Sequence, residues 1–302
     1  MNYILKTLRA IAEVPRFFCR PRQPRLIMTL LVKNEEAMIE RNLQFHKQMG
    51  VDGFIVTDNN SSDGTMRILE KYKQKGWILE IIEEKATGYE QKRWVDRMVE
   101  KAKRLYKADW IINADADEFW YARSGSLKNE LSATRANVVR CPWQNMFPED
   151  GLPFWKWTHH VCPVPDYTPY DLSPYAIYER RNKKVAHRAD GYIQISMGNH
   201  KVAMFPRRTI WSEDIVIYHF TIRGRQQFID KMVQGGRELE KHEGKHGGRH
   251  WRYFYDLYKQ GKLEAEYERV IGLNSYDKLC RDGYIKPCAP LEQIQQDFSP
   301  CD

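Results

Sequence analysis

The chain of 302 residues lacks any apolar run approaching the about 20 residues that a membrane-spanning helix needs. Its first twenty residues also lack the unbroken apolar core, about 7–15 residues long, of a secretory signal. Cysteine is sparse, with six scattered residues and no C-x-x-C pair, which argues against a structural zinc site. We therefore expect a cytoplasmic protein with reduced thiols, and we find no internal repeat that would indicate a solenoid.

Acidic residues are fewer than basic ones, 40 against 48, so the formal net charge is +8 and the pI is about 9.0. This balance favours anionic partners such as nucleotides, phosphorylated glycans, acidic lipids or nucleic acid. The basic residues are spread along the whole chain, and no recognised nucleic-acid-binding motif occurs, so nucleic acid is not an expected partner. Hydrophobic residues make up 42% of the chain, which is ample for a packed core.

Residues 1–24 are predicted to form a basic amphipathic segment followed by a linker. Lys6, Arg9 and Arg16 alternate there with apolar residues. Two interpretations carry equal weight. Residues 1–20 either lie as a helix on an anionic membrane surface, as a peripheral contact, or pack as an ordinary helix against the domain.

Beyond the linker, apolar runs and helical patterns alternate in the order β-α-β-α-β-α-β. This order predicts an α/β fold with a mostly parallel central sheet, helices on both faces and extra C-terminal helices. We expect a nucleotide-binding half at 25–125, an acceptor-binding and catalytic half at 126–240, and a helical extension at 241–302.

Acidic residues follow two of the predicted strands. Asp115, Asp117 and Glu118 come directly after a short apolar run, and Asp58 opens a turn of residues that favour caps and turns. Ligands of open α/β sheets bind beyond the carboxyl ends of strands. Because crowded carboxylates repel one another unless a cation lies among them, the pattern predicts a metal–diphosphate site.

Three motifs together resemble the landmarks of family 2-like glycosyltransferases with the GT-A fold. They are Val32-Lys-Asn-Glu-Glu36, Asp58-Asn-Asn-Ser-Ser-Asp-Gly-Thr65 and Asp115-Ala-Asp-Glu-Phe119. The last is similar to a bacterial branch related to glycosyltransferase family 92. The resemblance implies a nucleotide-sugar donor and a Mn²⁺ or Mg²⁺ ion.

The resemblance also implies roles for individual residues. Asp58 would contact the base, Asp115 the ribose and metal, and Asp117 the metal directly. Asn34 and Glu35 would lie beside the nucleotide. Lys92, on the helix before the acidic strand, either contacts the diphosphate or belongs to a solvated basic face.

An inverting reaction needs a base to accept the acceptor's proton. The family's base follows the D-x-D motif at a distance that matches Asp214, with Glu213 second, although the family pair usually precedes a helix and a strand is predicted here. Glu149 and Asp150 are the rival pair.

Two histidines are candidates for the same site. The resemblance implies that His219 completes the metal shell, and a neutral imidazole is a suitable ligand. His200 would bind metal or acceptor, as Glu149 and Asp150 also would, and a structural role is an equal alternative for both histidines.

The sequence thus predicts a metal-dependent, inverting glycosyltransferase at the cytoplasmic face of the membrane. Its acceptor would be a glycan or lipid-linked glycan of the lipopolysaccharide or capsule type. Two other classes stay open. One is a basic nucleic-acid-binding protein, and the other is a phosphate-ester hydrolase, although Phe119 stands where such hydrolases have Thr.

Overall fold

The computed structural model describes residues 3–18, 23–85, 90–179, 183–240 and 248–297. The chain divides into two compact units. The first contains residues up to 143 and residues 183–218, and the second contains 144–179 and 219–297. These units do not follow the predicted boundaries at 125 and 240, because residues 183–218 return to the first unit.

The described helices are α1 Tyr3–Ala12, α2 Val14–Phe18, α3 Glu36–Gln48, α4 Thr65–Gln74, α5 Gln91–Arg104, α6 Leu127–Ala133, α7 Arg225–Glu240, α8 Arg249–Lys259, α9 Leu263–Ile271, α10 Tyr276–Arg281 and α11 Leu291–Asp297. The described strands are β1 Leu26–Val32, β2 Gly53–Asp58, β3 Ile78–Glu83, β4 Trp110–Asp115, β5 Glu118–Ala122, β6 Val138–Asn145, β7 His159–Val161, β8 Lys183–Arg188, β9 Tyr192–Ile195, β10 Val202–Met204, β11 Thr209–Trp211, β12 Ile215–His219 and β13 Ile285–Pro287.

Nine of the described strands form the central sheet, in the order β3-β2-β1-β4-β8-β6-β12-β5, with β11 beside β6. Strands β1 to β4 are parallel to one another, as predicted. Strand β8 then pairs antiparallel with both β4 and β6, so the sheet as a whole is mixed. Strand β8 was not predicted, because three of its six residues are Lys or Arg and the apolar pattern of a strand is weak there.

Both faces of the parallel half are covered. Ile27, Ile55 and Ile111 pack in one cluster with α5 residues such as Met98 and Val99. Neighbouring residues along the same strands point to the opposite face, and they are equally buried. The predicted α/β class, with helices on both faces and extra C-terminal helices, is confirmed.

The second unit has a core of its own, built mainly from α7, α8, α9 and the loops between residues 147 and 178. Strands β7 and β13 pair antiparallel there. The described cysteines Cys141, Cys162, Cys280 and Cys288 are free thiols, as expected. Among the described residues, no helix is both long and apolar enough to cross a membrane.

Candidate functional site

The predicted acids meet at the carboxyl edge of the parallel strands. Val32 of β1 lies opposite Asp58 of β2, and Leu31 lies opposite Asp115 of β4. Asp58 and Asp115 therefore flank the end of β1 on its two sides. The prediction placed them on adjacent strands, whereas the structure puts β1 between them. The result is a pair of carboxylates at one edge of one sheet, where α/β folds bind ligands.

Asp58 is buried and only partly satisfied. Its Oδ2 atom accepts a hydrogen bond from the Ser61 backbone N–H at 3.0 Å, which fixes the turn after β2. Its Oδ1 atom is buried without a hydrogen-bond partner among the described residues. Since an unpaired buried carboxylate oxygen is costly, a ligand N–H or O–H is the natural partner for Oδ1.

The two loops at this edge hold each other in place. Asn34, at a positive φ of 56°, accepts a hydrogen bond from Ser62 N–H at 2.8 Å through its Oδ1 atom. The Glu35 backbone N–H donates to Thr65 Oγ1 at 2.8 Å. Asn34 and Glu35 thus brace the turn after Asp58, and their place beside the nucleotide stays a prediction.

A buried lysine joins the acidic motif. Lys184 Nζ lies 2.8 Å from Asp115 Oδ2 and 2.6 Å from Glu118 Oε1. The side chains of Lys184 and Glu118 are 2% and 0% exposed, whereas that of Asp115 is 36% exposed and still faces solvent. One ammonium group therefore neutralises the inner side of the motif, and the outer side of Asp115 stays accessible.

The pKa values follow from this arrangement. Burial alone would lower the pKa of Lys184, but the charges of Asp115 and Glu118 outweigh burial and raise it, so the ammonium stays charged. Burial raises the pKa of Glu118, an effect that Lys184 offsets in part. Lys184 was not predicted as a site residue. It is separated from Asp115 by 69 positions, and no local pattern indicates the contact.

The turn between β4 and β5 is fastened to α3 by two buried polar side chains. Asn42 Nδ2 donates to the carbonyl oxygens of Ala116 and Glu118, both at 2.9 Å. His46 Nε2 accepts from Trp120 N–H at 2.9 Å, and burial lowers the pKa of His46 to about 3, so its ring is neutral. The sequence offered one signal for this pair, namely two polar residues four apart within a buried helix face.

We expect Asn42→Ala to weaken both folding and activity, because it leaves two buried carbonyl groups unpaired beside Asp117. The expected loss in the free energy of unfolding is about 2–4 kcal/mol, measured by urea denaturation. The exposed Asn129→Ala on α6 is the matched control and should cost under about 0.5 kcal/mol. Equal stability of the two variants would contradict the bracing role.

His200 lies close to the same cluster. Its Nδ1 atom is 2.9 Å from the carbonyl oxygen of Lys183, so this nitrogen carries the proton and donates. Burial lowers the pKa of His200, which leaves a neutral ring with its lone pair on Nε2. The indole of Trp143 packs against the His200 ring at 5.8 Å and lies 5.7 Å from Lys184 Nζ. His200 thus lies near enough to Asp115 to be affected by its charge, and its role in binding metal or acceptor stays a prediction.

Lys92 is attached to a different part of the first unit. It lies near the start of α5, and its Nζ atom donates to Gln194 Oε1 of β9 at 2.8 Å. The side chain is exposed. Of the two predicted alternatives, this contact agrees with a solvated helix face.

Strand β5 leads away from the acidic motif. It begins at Glu118, runs alongside α3, and is followed by Leu127, whose N–H donates to Met49 beyond the end of that helix. At the far end, Arg123 N–H donates to the carbonyl of Asp214 at 2.9 Å. Five strand residues separate the two ends by roughly 16 Å.

Asp214 and its neighbour Glu213 are exposed and lie at this far end. The structure does not bring them to the acidic cluster, because β12 starts where β5 finishes. The position does not support the predicted base. The strand predicted directly after the pair is present as β12.

His219 belongs to the second unit. Its Nδ1 atom donates to Asn145 Oδ1 at 2.7 Å, and Asn145 Nδ2 in turn donates to the Ile177 carbonyl at 2.8 Å. These two hydrogen bonds hold the ring in place. These contacts give His219 a structural role, and the third-ligand role stays a prediction.

The rival acidic pair is also in the second unit. Glu149 Oε1 accepts from Thr158 N–H at 2.6 Å and from His159 Nδ1 at 3.0 Å, so this carboxylate braces its own loop. Asp150 is exposed, and burial together with the Asp150 charge raises the pKa of Tyr267 to about 12.

The donor set suits a divalent ion held together with a diphosphate. Among the described residues, no three or more His, Cys, Asp or Glu side chains are arranged to hold an ion by themselves. A metal–diphosphate site needs only one or two protein carboxylates, since phosphate oxygens and water complete the shell. Asp115 and the half-buried Asp117 provide oxygen ligands of the kind that Mg²⁺ and Mn²⁺ prefer.

Comparison with known families settles the assignment. The family model of glycosyltransferase family 92 matches residues 28–246, which include Asp58, Asp115 and Lys184. The chain belongs to glycosyltransferase family 92. This confirms the predicted relation.

Individual relatives of this family 92 protein are distant. A lipopolysaccharide core biosynthesis glycosyltransferase, LpsC, of Rhizobium meliloti (strain 1021) is 24% identical over 173 residues, or 57% of this chain. The chain spans about half of that relative, 54% of its length.

Two solved structures are similar at low identity. One is S. aureus TarS 1–349 in complex with UDP, with a TM-score of 0.42, 13% identity, and coverage of 90% of this chain and 77% of that one. The other is the mannosyltransferase PcManGT from Pyrobaculum calidifontis in complex with GDP-Man and Mn²⁺, with a TM-score of 0.42, 14% identity, and coverage of 98% and 87%.

Proposed function

We propose that this family 92 protein transfers a sugar from a nucleotide-sugar donor in a metal-dependent reaction. The observation that carries the proposal is the pair of carboxylates flanking the end of β1. Asp58 has a buried oxygen without a partner, and Asp115 is fixed from behind by Lys184. Asp58 can accept a hydrogen bond from the nucleoside. The motif at Asp115 can bind the cation that accompanies the diphosphate, so the two sides of the site match the two ends of a nucleoside diphosphate.

Each residue of the site has a separate proposed role in binding the donor, binding the metal or positioning the acids. Asp58 Oδ1 accepts a hydrogen bond from the base or ribose of the donor. Asp115 and Asp117 hold a Mn²⁺ or Mg²⁺ ion, which when bound offsets the charge that develops on the leaving diphosphate. Lys184 and Asn42 keep the two acids in position, and the charge of Asp115 acts on the neighbouring His200.

We propose a glycan or lipid-linked glycan as the acceptor, of the lipopolysaccharide or capsule type. Two observations support this class. The relative from Rhizobium meliloti is named for lipopolysaccharide core biosynthesis, and the net charge of +8 favours phosphorylated or acidic acceptors. A cytoplasmic location stays a prediction.

The experiment is release of nucleoside diphosphate from a panel of UDP-, GDP- and CDP-sugars, after chelation and after addition of Mn²⁺ or Mg²⁺. We expect one donor class to be turned over. We also expect added metal to raise the activity of the chelated enzyme at least roughly tenfold. Turnover that is unchanged by chelation would contradict the metal role. Hydrolysis of generic phosphate esters in place of sugar donors would favour the phosphate-ester hydrolase.

We propose inversion as the stereochemical course, and substitution of the predicted acids tests which of them is the base. Asp214→Asn should keep donor turnover and transfer within about twofold of wild type, because Asp214 lies at the far end of β5. Asp150→Asn is the paired variant, measured with the same acceptor. A loss of at least roughly a hundredfold in Asp214→Asn alone would restore the original assignment.

A further inference from the structure

Helix α1 is attached to the first unit through its charged side. Lys6 Nζ lies 3.3 Å from Asp96 of α5, and Arg9 lies 3.2 Å from Glu100 of the same helix. After the helix, Glu13 accepts from Gly191 N–H at 2.9 Å. The two basic side chains of α1 therefore face acids of their own protein. For this side of α1, the contacts match the interpretation of a helix packed against the domain.

The other side of α1 is apolar and exposed. Ile4, Leu8 and Ile11 follow one another at i, i+4 and i+7 and form one stripe of the helix. The exposed large apolar side chains of this segment are Tyr3, Ile4, Leu5, Leu8 and Ile11 of α1 and Phe18 at the end of α2, which are 52%, 62%, 56%, 57%, 46% and 75% exposed. We call these six residues the α1 apolar surface.

The size of this surface favours one kind of partner. Large apolar side chains of about 150–250 Å² each, exposed by roughly half, give a patch of roughly 600 Å². An apolar patch above a few hundred Å² typically marks a protein or membrane contact. It lies below the average of about 800 Å² per partner in stable protein interfaces, and the charge of the segment decides between lipid and a second copy of this chain.

Charge in the same segment indicates an anionic surface. The first 25 residues contain six basic residues and one acidic residue, Glu13, which is buried. Arg16 is 68% exposed, two positions before Phe18, and its nearest described acid, Asp190, is 3.8 Å away. Apolar side chains flanked by an exposed arginine are what an interfacial helix presents to anionic lipid.

We propose that the α1 apolar surface inserts into the headgroup region of an anionic lipid bilayer. The ion pairs of Lys6 and Arg9 attach α1 to α5. The apolar side chains provide most of the binding to the bilayer. Attachment then depends more on apolar burial than on salt. The proposal rests on α1 and its contacts and is independent of the transferase site.

Vesicle flotation of the full chain tests this proposal. The vesicles contain phosphatidylcholine alone or with about 30 mol% phosphatidylglycerol. We expect the wild type to float with the anionic vesicles and the double variant Ile4→Ser with Leu8→Ser to lose roughly tenfold or more in partitioning. About 0.5 M NaCl should weaken wild-type binding less than the double substitution does.

The matched control replaces two exposed leucines elsewhere, Leu152→Ser with Leu273→Ser, and should bind vesicles as the wild type does. Donor turnover in solution and the melting temperature show that each variant is folded. Failure of the wild type to float, equal flotation of the Ile4/Leu8 variant, or complete release by salt would overturn the proposal. So would a concentration-dependent dimer in light scattering that the Ile4/Leu8 variant abolishes without any vesicle binding.

Discussion

Replacement of Asp117 by Asn should reduce kcat/KM for sugar transfer by at least about a hundredfold, or about 2.7 kcal/mol of transition-state stabilisation. Asparagine keeps the size of the side chain and removes its charge. The half-buried Asp117 lies in the turn that Asn42 fastens to α3, and it is our proposed direct ligand of the metal. A weaker cation site offsets less charge on the leaving diphosphate.

The measurement is donor turnover at increasing Mn²⁺, with Asp214→Asn as the matched control because it makes the same chemical change at an exposed aspartate. We expect Asp117→Asn to need more Mn²⁺ for half-maximal activity and Asp214→Asn to follow the wild type. Unfolding by urea should be little affected by either change. An Asp117→Asn enzyme that retains activity within about fivefold at the wild-type Mn²⁺ requirement would exclude the ligand role.

The second large effect is expected at Lys184. Replacing it by Met keeps an unbranched apolar stem of similar length and deletes the ammonium group between Asp115 and Glu118. Breaking a buried ion pair from one side typically costs about 3–5 kcal/mol. We therefore expect a loss of this size in the free energy of unfolding at neutral pH, together with loss of transferase activity.

The pH dependence of this loss gives a distinct signature. Without Lys184, the pKa of the buried Glu118 rises further above its ordinary value, since the attraction that offsets burial is gone. Folded Glu118 then retains a proton that the unfolded chain releases, so stability falls as pH rises above the usual glutamate range. The loss in the free energy of unfolding of Lys184→Met should be smaller at about pH 5 than at about pH 8. It is measured in the presence of a chelator, so that bound metal does not contribute.

Two companion variants isolate the buried ion pair. Adding Glu118→Gln to Lys184→Met removes the orphaned acid and should recover part of the lost stability. Lys128→Met breaks a partly exposed pair with Asp52, 2.9 Å apart, and should cost under about 1 kcal/mol. Equal stability of Lys184→Met and Lys128→Met would show that the Lys184 pair does not hold the site together.

Local sequence determined much of the parallel half. The runs that became β1, β2, β3 and β4 are each apolar and closed by turn-forming residues, and the helices between them keep their own periodicity. Parallel strands end at one edge, so the placement of Asp58 and Asp115 at that edge followed from the predicted parallel strands, although the position of β1 between them did not. The strand β5, which restarts at Glu118, was missed because its five residues follow the acids almost directly.

Tertiary structure decided what depends on direction and on distant segments. Asp214 lies away from the acids because β5 leads away from the carboxyl edge and β12 begins beside the end of β5. The local sequence does not predict the direction of either strand. Lys184 reaches Asp115 only because β8 enters the sheet antiparallel to β4. The apolar side of α1 faces outward because Asp96 and Glu100 of α5 hold its basic side. Periodicity fixes which residues share a helix face, whereas the neighbour that each face meets is fixed by packing.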